Sequence, residues 1–547
     1  MNANHKRLSA VLIIFTILTP QLESKDAATA TARLRDIFKL DSQLASQLDT
    51  FSLQLADLQK QIDQVRNDGQ LKPLSQILEI DDENSEENFK HPTDQVVIIK
   101  RFNDKWKSIR AALDFKKVAE SLHYLDDEFS TRREDMHEAM AGIIRLGETY
   151  HIPARNFSEG VIKQFHSRLK FDQPQDLFEM GVAAFDLKKY KFCADYFKLL
   201  ETKLESNKNA VYETNICHEV KCEHPKHGEL LAAAYDYHHF CEYAMGNYAE
   251  AVHLAEKALN LMGHDERLER NIELISGYLQ HEKSDELKSN ETQLPPETEL
   301  CRMGAFPTSN FSKKLKPKTG GFKIWSKCSF STNQNPSLMI RPVKTEVLLE
   351  KPYIEFWHQF LTDNEVEKLK DLGLPELARS TVAGDKEFVH AEYRVSQSSW
   401  FPDSLNAVVA TISRRIRDMT NFTMETAEAL QIANYGVGGQ YESHYDFAVE
   451  SDEEGIPEAF FVDGNRVATV LMYLSDVELG GTTAFVDIGL NVTPEKGGAV
   501  FWYNLERDGS GIMETRHAAC PVLIGVKWVA NKWIRYNGQQ FVYHCPA

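Results

Sequence analysis

The sequence predicts a multidomain α+β protein in which helical domains precede a β-rich C-terminal domain. Its 547 residues are too many for one hydrophobic core. Apolar residues recur at helical spacing before residue 285, whereas short segments of alternating apolar residues, separated by glycines, dominate residues 346–547. The formal net charge of -19 disfavours nucleic acids and acidic membrane surfaces as partners, because binding to phosphates depends on Lys and Arg.

Residues 1–24 predict a secretory signal peptide. Lys6 and Arg7 precede an apolar run over residues 8–19, which is shorter than the ~20 residues that a membrane-spanning helix needs. Eight cysteines and several N-x-S/T sequons fit the oxidising secretory pathway, so we expect a glycoprotein of the endoplasmic reticulum lumen. The C-terminal residues are not a retrieval signal, which predicts retention by a partner or secretion. The sequons lie at Asn156, Asn290, Asn310, Asn421 and Asn491.

Residues 25–165 predict a helical dimerisation domain. Apolar residues recur at helical spacing over residues 31–65 without Gly or Pro, which indicates a long amphipathic helix or a short coiled coil. Further helical patterns cover residues 96–113 and 136–150. The apolar stripe is equally compatible with a domain core and with pairing to a second copy of the chain.

Residues 170–285 predict a peptide-binding domain of tetratricopeptide-like helical hairpins. Residues 176–204 and 230–261 share small residues at helix crossings and an aromatic residue before the second helix. Such hairpins form a concave groove that suits an extended peptide, and a plain helical bundle is the alternative.

Residues 286–345 are rich in Ser, Thr, Pro, Lys and Asn and predict an interdomain linker that contains Cys301 and Cys328. Cysteine spacing offers local pairs without proving any of them: Cys217 with Cys222, Cys301 with Cys328, and Cys520 with Cys545. Cys193 and Cys241 lie on predicted helices and are equally compatible with buried thiols.

Residues 346–547 predict an all-β sandwich or barrel, because several short strands alternate with Gly-containing turns. The predicted strands cover residues 430–435, 441–447, 467–474, 499–503, 512–518 and 525–536.

A candidate metal site lies within this β-rich region. His444 and Asp446 are two residues apart on a predicted strand, so both side chains point to one face. With His517 on another strand they make a two-His, one-carboxylate set, which leaves open positions on Fe(II). Lys527 follows on the next strand among apolar residues, where a cation needs an anionic partner such as the carboxylate of an acid cosubstrate. An exposed strand lysine is the alternative for Lys527.

Four motifs in this region resemble those of the α subunits of animal collagen prolyl 4-hydroxylases. They are ANYGVGGQYESHYDF at residues 433–447, FWYNL at 501–505, TRHAACPV at 515–522 and NKW at 531–533. The resemblance covers nearly the whole chain, but outside the catalytic motifs it lies mostly in the pattern of predicted helices and domains. It implies an Fe(II)- and 2-oxoglutarate-dependent dioxygenase with a double-stranded β-helix (jelly-roll) core, O2 as cosubstrate and L-ascorbate to rescue oxidised iron.

The resemblance also implies roles for individual residues. The iron ligands match His444, Asp446 and His517, and the residue that binds the distal carboxylate of 2-oxoglutarate matches Lys527. Tyr435 and Thr483 match residues that form further hydrogen bonds to 2-oxoglutarate. Tyr441 and Arg466 match residues near the substrate proline.

Three positions depart from the family pattern. Arg535 stands where a His usually follows the lysine by eight residues, and its permanent charge either supplements the 2-oxoglutarate clamp or crowds the cosubstrate. Phe185 and Leu274 stand where relatives have groove tyrosines, which predicts weaker or altered binding of proline-rich chains.

The activity implied is hydroxylation of proline C4 in X-Pro-Gly sequences of collagen-like or other Pro-rich secreted proteins, with decarboxylation of 2-oxoglutarate to succinate. The alternatives are a related dioxygenase that hydroxylates lysine or proline C3, and a catalytically weak peptide-binding subunit. The resemblance further implies an α2β2 tetramer with protein disulfide isomerase as the β subunit, and intrachain disulfides that join Cys301 to Cys328 and Cys520 to Cys545.

Overall fold

The computed structural model describes two compact units of mixed helices and sheets. One unit comprises residues 1–139 and 296–547 and the other residues 140–295. The predicted signal peptide and most of the helix predicted at residues 31–65 lie outside the described residues. The structure describes residues 34, 38–39, 41–42, 90–112, 133–206, 216–218, 221–223, 227–281, 295, 297–306, 327–383, 388–390, 394–449, 463–540 and 542–543.

Two helices occupy positions that the apolar pattern of the N-terminal region predicts: α1 (Pro92–Ala112) and α2 (Arg133–Tyr150). The residues just before α1 contact the β-rich part of the same unit, where Lys90 forms an ion pair with Glu478. The carbonyl of Lys90 also accepts a hydrogen bond from the backbone N–H of Gly525 at 2.9 Å. None of the helices in the described part of the chain has the length and apolar character needed to cross a bilayer.

The described residues within 140–295 are mostly helical, and each helix from α4 to α8 packs on the next. Gly181 of α4 lies so close to Phe197 of α5 that an added Cβ would come within 2.6 Å of the ring, so glycine permits the close helix crossing. A disulfide joins Cys193 of α5 to Cys241 of α6. The helices are α3 (Ala154–Ser158), α4 (Pro174–Asp186), α5 (Tyr190–Ser206), α6 (His227–Ala244), α7 (Tyr248–Met262) and α8 (Glu266–His281).

Two short antiparallel hairpins belong to the same unit: β1 (Val161–Ile162) with β2 (Phe165–His166), and β3 (Ile216–His218) with β4 (Lys221–Glu223). Cys217 and Cys222 face each other in the register of the second hairpin. The disulfide between them stays a prediction.

A buried histidine links α5 to α6. His238 Nδ1 lies 2.6 Å from Glu201 Oε1, and its Nε2 lies 3.3 Å from Glu242 Oε1. Burial opposes the charge of this imidazole, but the hydrogen bonds to the two carboxylates outweigh burial and raise the pKa of His238 to about 9. The imidazole is therefore positively charged at neutral pH, and its charge is balanced by its partners.

The remaining strands form the β-rich part of the first unit. A nine-stranded antiparallel sheet has the order β5-β6-β7-β18-β14-β21-β12-β11-β8, and a four-stranded antiparallel sheet has the order β13-β19-β16-β17. Two further pairs are β9 with β10 and β15 with β20. The strands are β5 (Lys327–Ser331), β6 (Val343–Glu350), β7 (Tyr353–His358), β8 (Ala378–Arg379), β9 (Thr381–Ala383), β10 (Phe388–His390), β11 (Ser396–Phe401), β12 (Leu430–Tyr435), β13 (Tyr441–His444), β14 (Arg466–Tyr473), β15 (Val477–Gly480), β16 (Thr483–Phe485), β17 (Leu490–Val492), β18 (Ala499–Tyr503), β19 (His517–Ala519), β20 (Val522–Gly525) and β21 (Trp528–Arg535).

Each face of the nine-stranded sheet has its own hydrophobic core. One face packs on α11 (Asp363–Gly373) and α12 (Ala407–Thr420), whose buried apolar residues cluster with Val470 and Phe501 of the sheet. The other face packs on the four-stranded sheet, where the rings of Phe485 and Trp502 meet at 5.3 Å. Side chains alternate between the two faces along each strand, so residues of one strand contribute to both cores.

The region predicted as a strand at residues 512–518 is mostly a turn. Residues Met513–Thr515 form a 3-10 helix, and only His517 begins a strand, β19. The hydroxyl of Thr515 donates to the carbonyl of Ile512 at 2.7 Å, which closes the turn and overrides the alternating pattern.

The predicted disulfides of Cys301 with Cys328 and of Cys520 with Cys545 are wrong. Cys301 is bonded to Cys520, whereas Cys328 is an exposed free thiol on the edge strand β5. Cys545 lies outside the described residues. The predicted linker contains two helices, α9 (Thr298–Ala305) and α10 (Pro336–Ile340), and strand β5, which is part of the nine-stranded sheet.

The long-range pairing follows from where α9 packs. The amide of Asn491 in β17 donates to the carbonyl of Leu300 at 2.7 Å, which holds α9 against the four-stranded sheet. Cys301 therefore lies beside the residue that follows β19, although the two cysteines are 219 residues apart in sequence.

Candidate metal centre and acid-binding pocket

His444, Asp446 and His517 converge between the two sheets. His444 ends β13 and His517 begins β19, and the two residues face each other in the antiparallel register. His444 Nε2 lies 3.8 Å from Asp446 Oδ1, and His517 Nε2 lies 3.8 Å from Asp446 Oδ2. Among the residues that the structure describes, this is the one group of three His, Cys, Asp or Glu side chains placed to share a metal ion, with potential ligand atoms within 4.8 Å of one another.

Backbone carbonyls orient both imidazoles. Nδ1 of His444 lies 2.8 Å from the carbonyl of Glu442, and Nδ1 of His517 lies 3.0 Å from the carbonyl of Thr515. A carbonyl only accepts, so each Nδ1 carries a proton, and in the neutral form of either ring Nε2 is the nitrogen with the free lone pair. This is the usual arrangement for histidines that bind a metal through Nε2.

The charge states also suit a cation. Burial and the nearby His517 lower the pKa of His444 to about 3, so the ring is neutral at physiological pH. Burial alone would raise the pKa of Asp446, but His517, His444, Arg466 and a hydrogen bond from Thr469 outweigh it and lower that pKa. The set thus provides neutral imidazole and ionised carboxylate, the forms that bind a metal.

Lys527 lies close by as a buried, uncompensated amine. Its side chain is 1% exposed, and Nζ makes no hydrogen bond to any residue that the structure describes. Nζ lies 5.0 Å from the centre of the Tyr435 ring. Burial lowers the pKa of Lys527 to about 7. A buried amine of this kind is stabilised by an anionic ligand, so the site suits a carboxylate.

Tyr435 and Thr483 line the same region. Burial raises the pKa of Tyr435 to about 12, which keeps its hydroxyl protonated and able to donate. The Thr483 hydroxyl lies 2.8 Å from the hydroxyl of Tyr473, and both side chains are fully buried. Gly481, with φ at +63°, passes beside Lys527 where a larger residue would contact the lysine stem.

Tyr441 and Arg466 both contact the candidate metal centre. The Tyr441 ring stacks on His444, with ring centres 3.6 Å apart. Arg466 donates to the backbone carbonyl of Asp446 at 3.2 Å and lies over the Trp533 ring, with its Cζ 4.1 Å from the ring centre.

A half-buried carboxylate not predicted from the sequence binds two arginines. Glu428 Oε1 accepts from Arg466 Nε at 2.6 Å, and Oε2 accepts from Arg466 Nη2 at 2.8 Å. Arg535 Nη2 lies 2.7 Å from the same Oε1, and Arg535 Nη1 donates to the carbonyl of Gly464. The structure thus brings Arg535 to Glu428 and Arg466. The one sequence signal available was a Glu two residues before a buried strand, β12.

Arg394 is a further residue near the site that the sequence did not predict. Its guanidinium lies over the Tyr441 ring, 4.7 Å from the ring centre, on a ring that itself stacks on His444. Arg394 occupies an isolated bridge just before β11, so no strand pattern pointed to it.

Separately, the helical unit carries a row of aromatic side chains. Phe185 packs edge-on against both Tyr237 and Phe240, with ring centres 5.2 Å apart in both pairs. Tyr243, Tyr248 and Tyr278 continue the row on α6, α7 and α8. Leu274 is exposed on α8.

Comparison with known protein families gives two matches. Residues 30–164 match the N-terminal region of the prolyl 4-hydroxylase alpha subunit, and residues 430–535 match the 2OG-Fe(II) oxygenase superfamily. The second match spans all three candidate metal ligands and Lys527.

Curated relatives are similar over most of their length. Prolyl 4-hydroxylase subunit alpha-1 of Bos taurus is 31% identical, with 98% of each chain covered. Subunit alpha-2 of Caenorhabditis elegans is 32% identical over 83% of this chain and 82% of its own, and subunit alpha-2 of Gallus gallus is 34% identical over 83% and 84%. Among solved structures, the viral collagen prolyl hydroxylase of Paramecium Bursaria Chlorella virus-1 is 26% identical, covers 34% of this chain and 97% of its own, and has a TM-score of 0.28.

Proposed function

This chain belongs to the family of prolyl 4-hydroxylase α subunits, and we propose that it hydroxylates C4 of proline in X-Pro-Gly sequences of collagen-like or other Pro-rich secreted proteins. It is a 2-oxoglutarate-dependent enzyme that uses Fe(II) and O2. The observation that supports this activity best is the convergence of two histidines and one carboxylate near a buried, uncompensated lysine.

The donor set fits Fe(II). His444, Asp446 and His517 would hold the ion through two imidazole nitrogens and a carboxylate, which leaves other coordination positions free. When bound, Fe(II) supplies the coupling of O2 reduction to the decarboxylation of 2-oxoglutarate and to insertion of one oxygen atom into the proline C4–H bond. The protein orients the ligands through the carbonyls of Glu442 and Thr515.

Lys527 would bind the distal carboxylate of 2-oxoglutarate. Its ammonium gains in this way the anionic partner that the described residues do not supply. Tyr435 and Thr483, both buried, would donate further hydrogen bonds. Because these groups are buried, water competes little for the ligand carboxylate.

Tyr441 and Arg466 would form the side of the pocket that contacts the substrate proline. Tyr441 covers His444, and Arg466 is held rigidly by Glu428 and Trp533. Arg535 is paired with Glu428, so we assign it to this side of the pocket and not to the 2-oxoglutarate clamp.

Residues 170–285 would bind the peptide as a tetratricopeptide-like domain, and residues 346–547 would form a double-stranded β-helix. The aromatic row on α4 to α8 supports a role in peptide binding, because aromatic faces and proline rings pack well together. Phe185 and the exposed Leu274 lack the hydroxyls that bond peptide carbonyls, so we expect weaker or altered selectivity at these two positions.

We further propose protein disulfide isomerase as a β subunit in an α2β2 tetramer, with L-ascorbate as reductant. The endoplasmic reticulum lumen is the proposed compartment, and two disulfides within the described residues support an oxidising environment. Residues 25–165, which the sequence predicts as a helical dimerisation domain, would form the dimer contact.

The activity is tested by co-expressing the full chain with protein disulfide isomerase and supplying Fe(II), 2-oxoglutarate and ascorbate to a (Pro-Pro-Gly)-repeat peptide. Fragmenting mass spectrometry should find one added oxygen on the proline before Gly, as the 4-isomer, and none with His517→Ala. A 3-isomer or a modified lysine would assign a related dioxygenase activity. Peptide binding without any turnover would instead favour a binding subunit.

A further inference from the structure

Three buried side chains form a hydrogen-bonded relay that ends on Asp446. Trp502 Nε1 donates to Asn504 Oδ1 at 2.8 Å, and Asn504 Nδ2 donates to Thr469 Oγ1 at 2.9 Å. Thr469 Oγ1 in turn donates to Asp446 Oδ2 at 2.7 Å. The first three residues are at most 1% exposed, so water does not compete for these bonds.

The relay has only one possible direction. An indole N–H is only a donor, so the amide oxygen of Asn504 must face Trp502 and its NH2 group must face Thr469. The Thr469 oxygen therefore accepts from Asn504, and its single proton is directed to Asp446. The indole of Trp502 on β18 thus sets the orientation of the Asp446 carboxylate through Thr469 on the neighbouring strand β14.

The backbone makes this arrangement rigid. Thr469 and Trp502 are directly paired in the β14–β18 register. The N–H of Asn504 donates to the carbonyl of Val467, and its carbonyl accepts from the N–H of Ile512. Because all the members lie on fixed strands or are anchored by backbone bonds, the carboxylate rotation is defined before any ion binds.

We propose that Thr469 and Asn504 are positioning residues that hold the Asp446 carboxylate in the rotation required for Fe(II), with one lone pair of Oδ2 engaged by Thr469. This inference rests on the proposed function. A carboxylate engaged in this way is disfavoured as a bidentate ligand, which preserves open positions on the ion for 2-oxoglutarate and O2. Partners of metal ligands commonly contribute about 10–100-fold to metal affinity.

The main test compares Thr469→Val, which removes the hydroxyl but keeps the shape, with Thr469→Ser, which restores the donor. Thr345→Val is the matched control, because Thr345 is also a buried strand threonine but bonds Ser329, away from the metal centre. The full chain with its β subunit is titrated anaerobically with Fe(II), and 2-oxoglutarate is then added while the visible charge-transfer absorption of the complex is recorded. Thermal unfolding of each metal-free protein controls for stability.

Thr469→Val should weaken Fe(II) binding about tenfold or more and shift the charge-transfer band, while Thr469→Ser and Thr345→Val behave like wild type. Equal Fe(II) affinity and an unchanged band in Thr469→Val would overturn the proposal. If wild type itself develops no band with Fe(II) and 2-oxoglutarate, the proposed function fails instead, so the two failures are distinguishable.

A double-variant cycle tests whether Asn504 acts through Thr469. Asn504→Leu alone should weaken Fe(II) binding, because the Thr469 hydroxyl is then free to turn away. Combined with Thr469→Val it should add no further loss, since both changes interrupt one relay. Losses that add in full would mean that Asn504 affects the ion by another route and would overturn the relay.

Discussion

Arg535 shares the carboxylate of Glu428 with a second arginine: Arg535 Nη2 lies 2.7 Å from Glu428 Oε1, and Arg466 binds both oxygens of the same group. Arg466 also donates to the backbone carbonyl of Asp446. The charge of Arg535 is therefore connected to the candidate metal centre through Glu428 and Arg466.

Replacing Arg535 should affect peptide use more than cosubstrate use. With Arg535→Met or Arg535→His, Glu428 loses one of its two cations and Arg466 is held differently. We expect the peptide KM or kcat to change several-fold while the KM for 2-oxoglutarate stays within about twofold. Steady-state kinetics with each substrate varied in turn measures this split.

Arg415→Met is a suitable control, because Arg415 of α12 also pairs with a half-buried carboxylate, that of Glu365 on α11. It should leave both KM values unchanged. If Arg535→His raises only the KM for 2-oxoglutarate, Arg535 contributes to cosubstrate binding and our assignment is wrong.

Lys527→Met should separate stability from cosubstrate binding. The substitution removes a buried amine without a hydrogen-bond partner among the described residues. The metal-free variant should therefore be at least as stable as metal-free wild type. The KM for 2-oxoglutarate should nevertheless rise by about two orders of magnitude, while the peptide KM changes little. Lys532→Met is the matched control: Lys532 is equally buried but bonds Asp403, so its loss should lower stability. Unaltered cosubstrate use in Lys527→Met would make Lys527 structural.

The depressed pKa of Lys527 also predicts proton uptake on cosubstrate binding. Burial lowers this pKa to about 7, so the amine of the ligand-free protein is largely neutral at pH 8. A dicarboxylate requires the ammonium form, so binding should take up close to one proton and weaken as pH rises above 7. Calorimetry of Mn(II)-loaded protein in two buffers of different ionisation enthalpy measures the uptake, which Lys527→Met should abolish. Equal heats in both buffers for wild type would contradict this prediction.

The stability of the helical unit should fall as the solution becomes alkaline. The pKa of His238 is raised to about 9 in the folded state, from about 6.5 in an unfolded chain. Its contribution to stability is therefore complete below about pH 6.5 and is lost as pH rises through about 9. Thermal unfolding followed between pH 6 and 10 should show this decline, and His238→Gln should flatten it. His264→Gln is the control, since His264 contacts Glu269 on the exposed surface and should leave the profile intact.

Disulfide mapping should find the long-range pairing. Proteolysis without reduction should release peptides that join Cys301 to Cys520 and Cys193 to Cys241, with Cys328 open to alkylation. Removing the first bond with Cys301→Ser and Cys520→Ser should cost about 2–5 kcal/mol of stability, because the bond closes a long loop. Cys328→Ser should cost little.

A peptide that joins Cys520 to Cys545, or Cys301 to Cys328, would contradict this pairing. Loss of stability in Cys328→Ser comparable to that of the paired cysteines would do so as well.

Strand alternation explains why the metal ligands were accessible to sequence reasoning. His444 and Asp446 are two residues apart, so the local geometry of an extended chain brings both side chains to one face. The glycine-separated alternating segments likewise predict strands, and most of them form where predicted. The 3-10 turn before His517 was missed, because a side-chain hydrogen bond and not the apolar pattern closes it.

The sequence by itself determined the helical and β-rich regions, the His-x-Asp pair and the buried lysine, since each depends on residues that are close along the chain. Only the tertiary structure decided that Cys301 bonds Cys520, that Glu428 binds both Arg466 and Arg535, and that Trp502 orients Asp446 through Asn504 and Thr469. These partners lie on different strands or helices. Their meeting depends on strand order and sheet packing, which residue spacing does not encode.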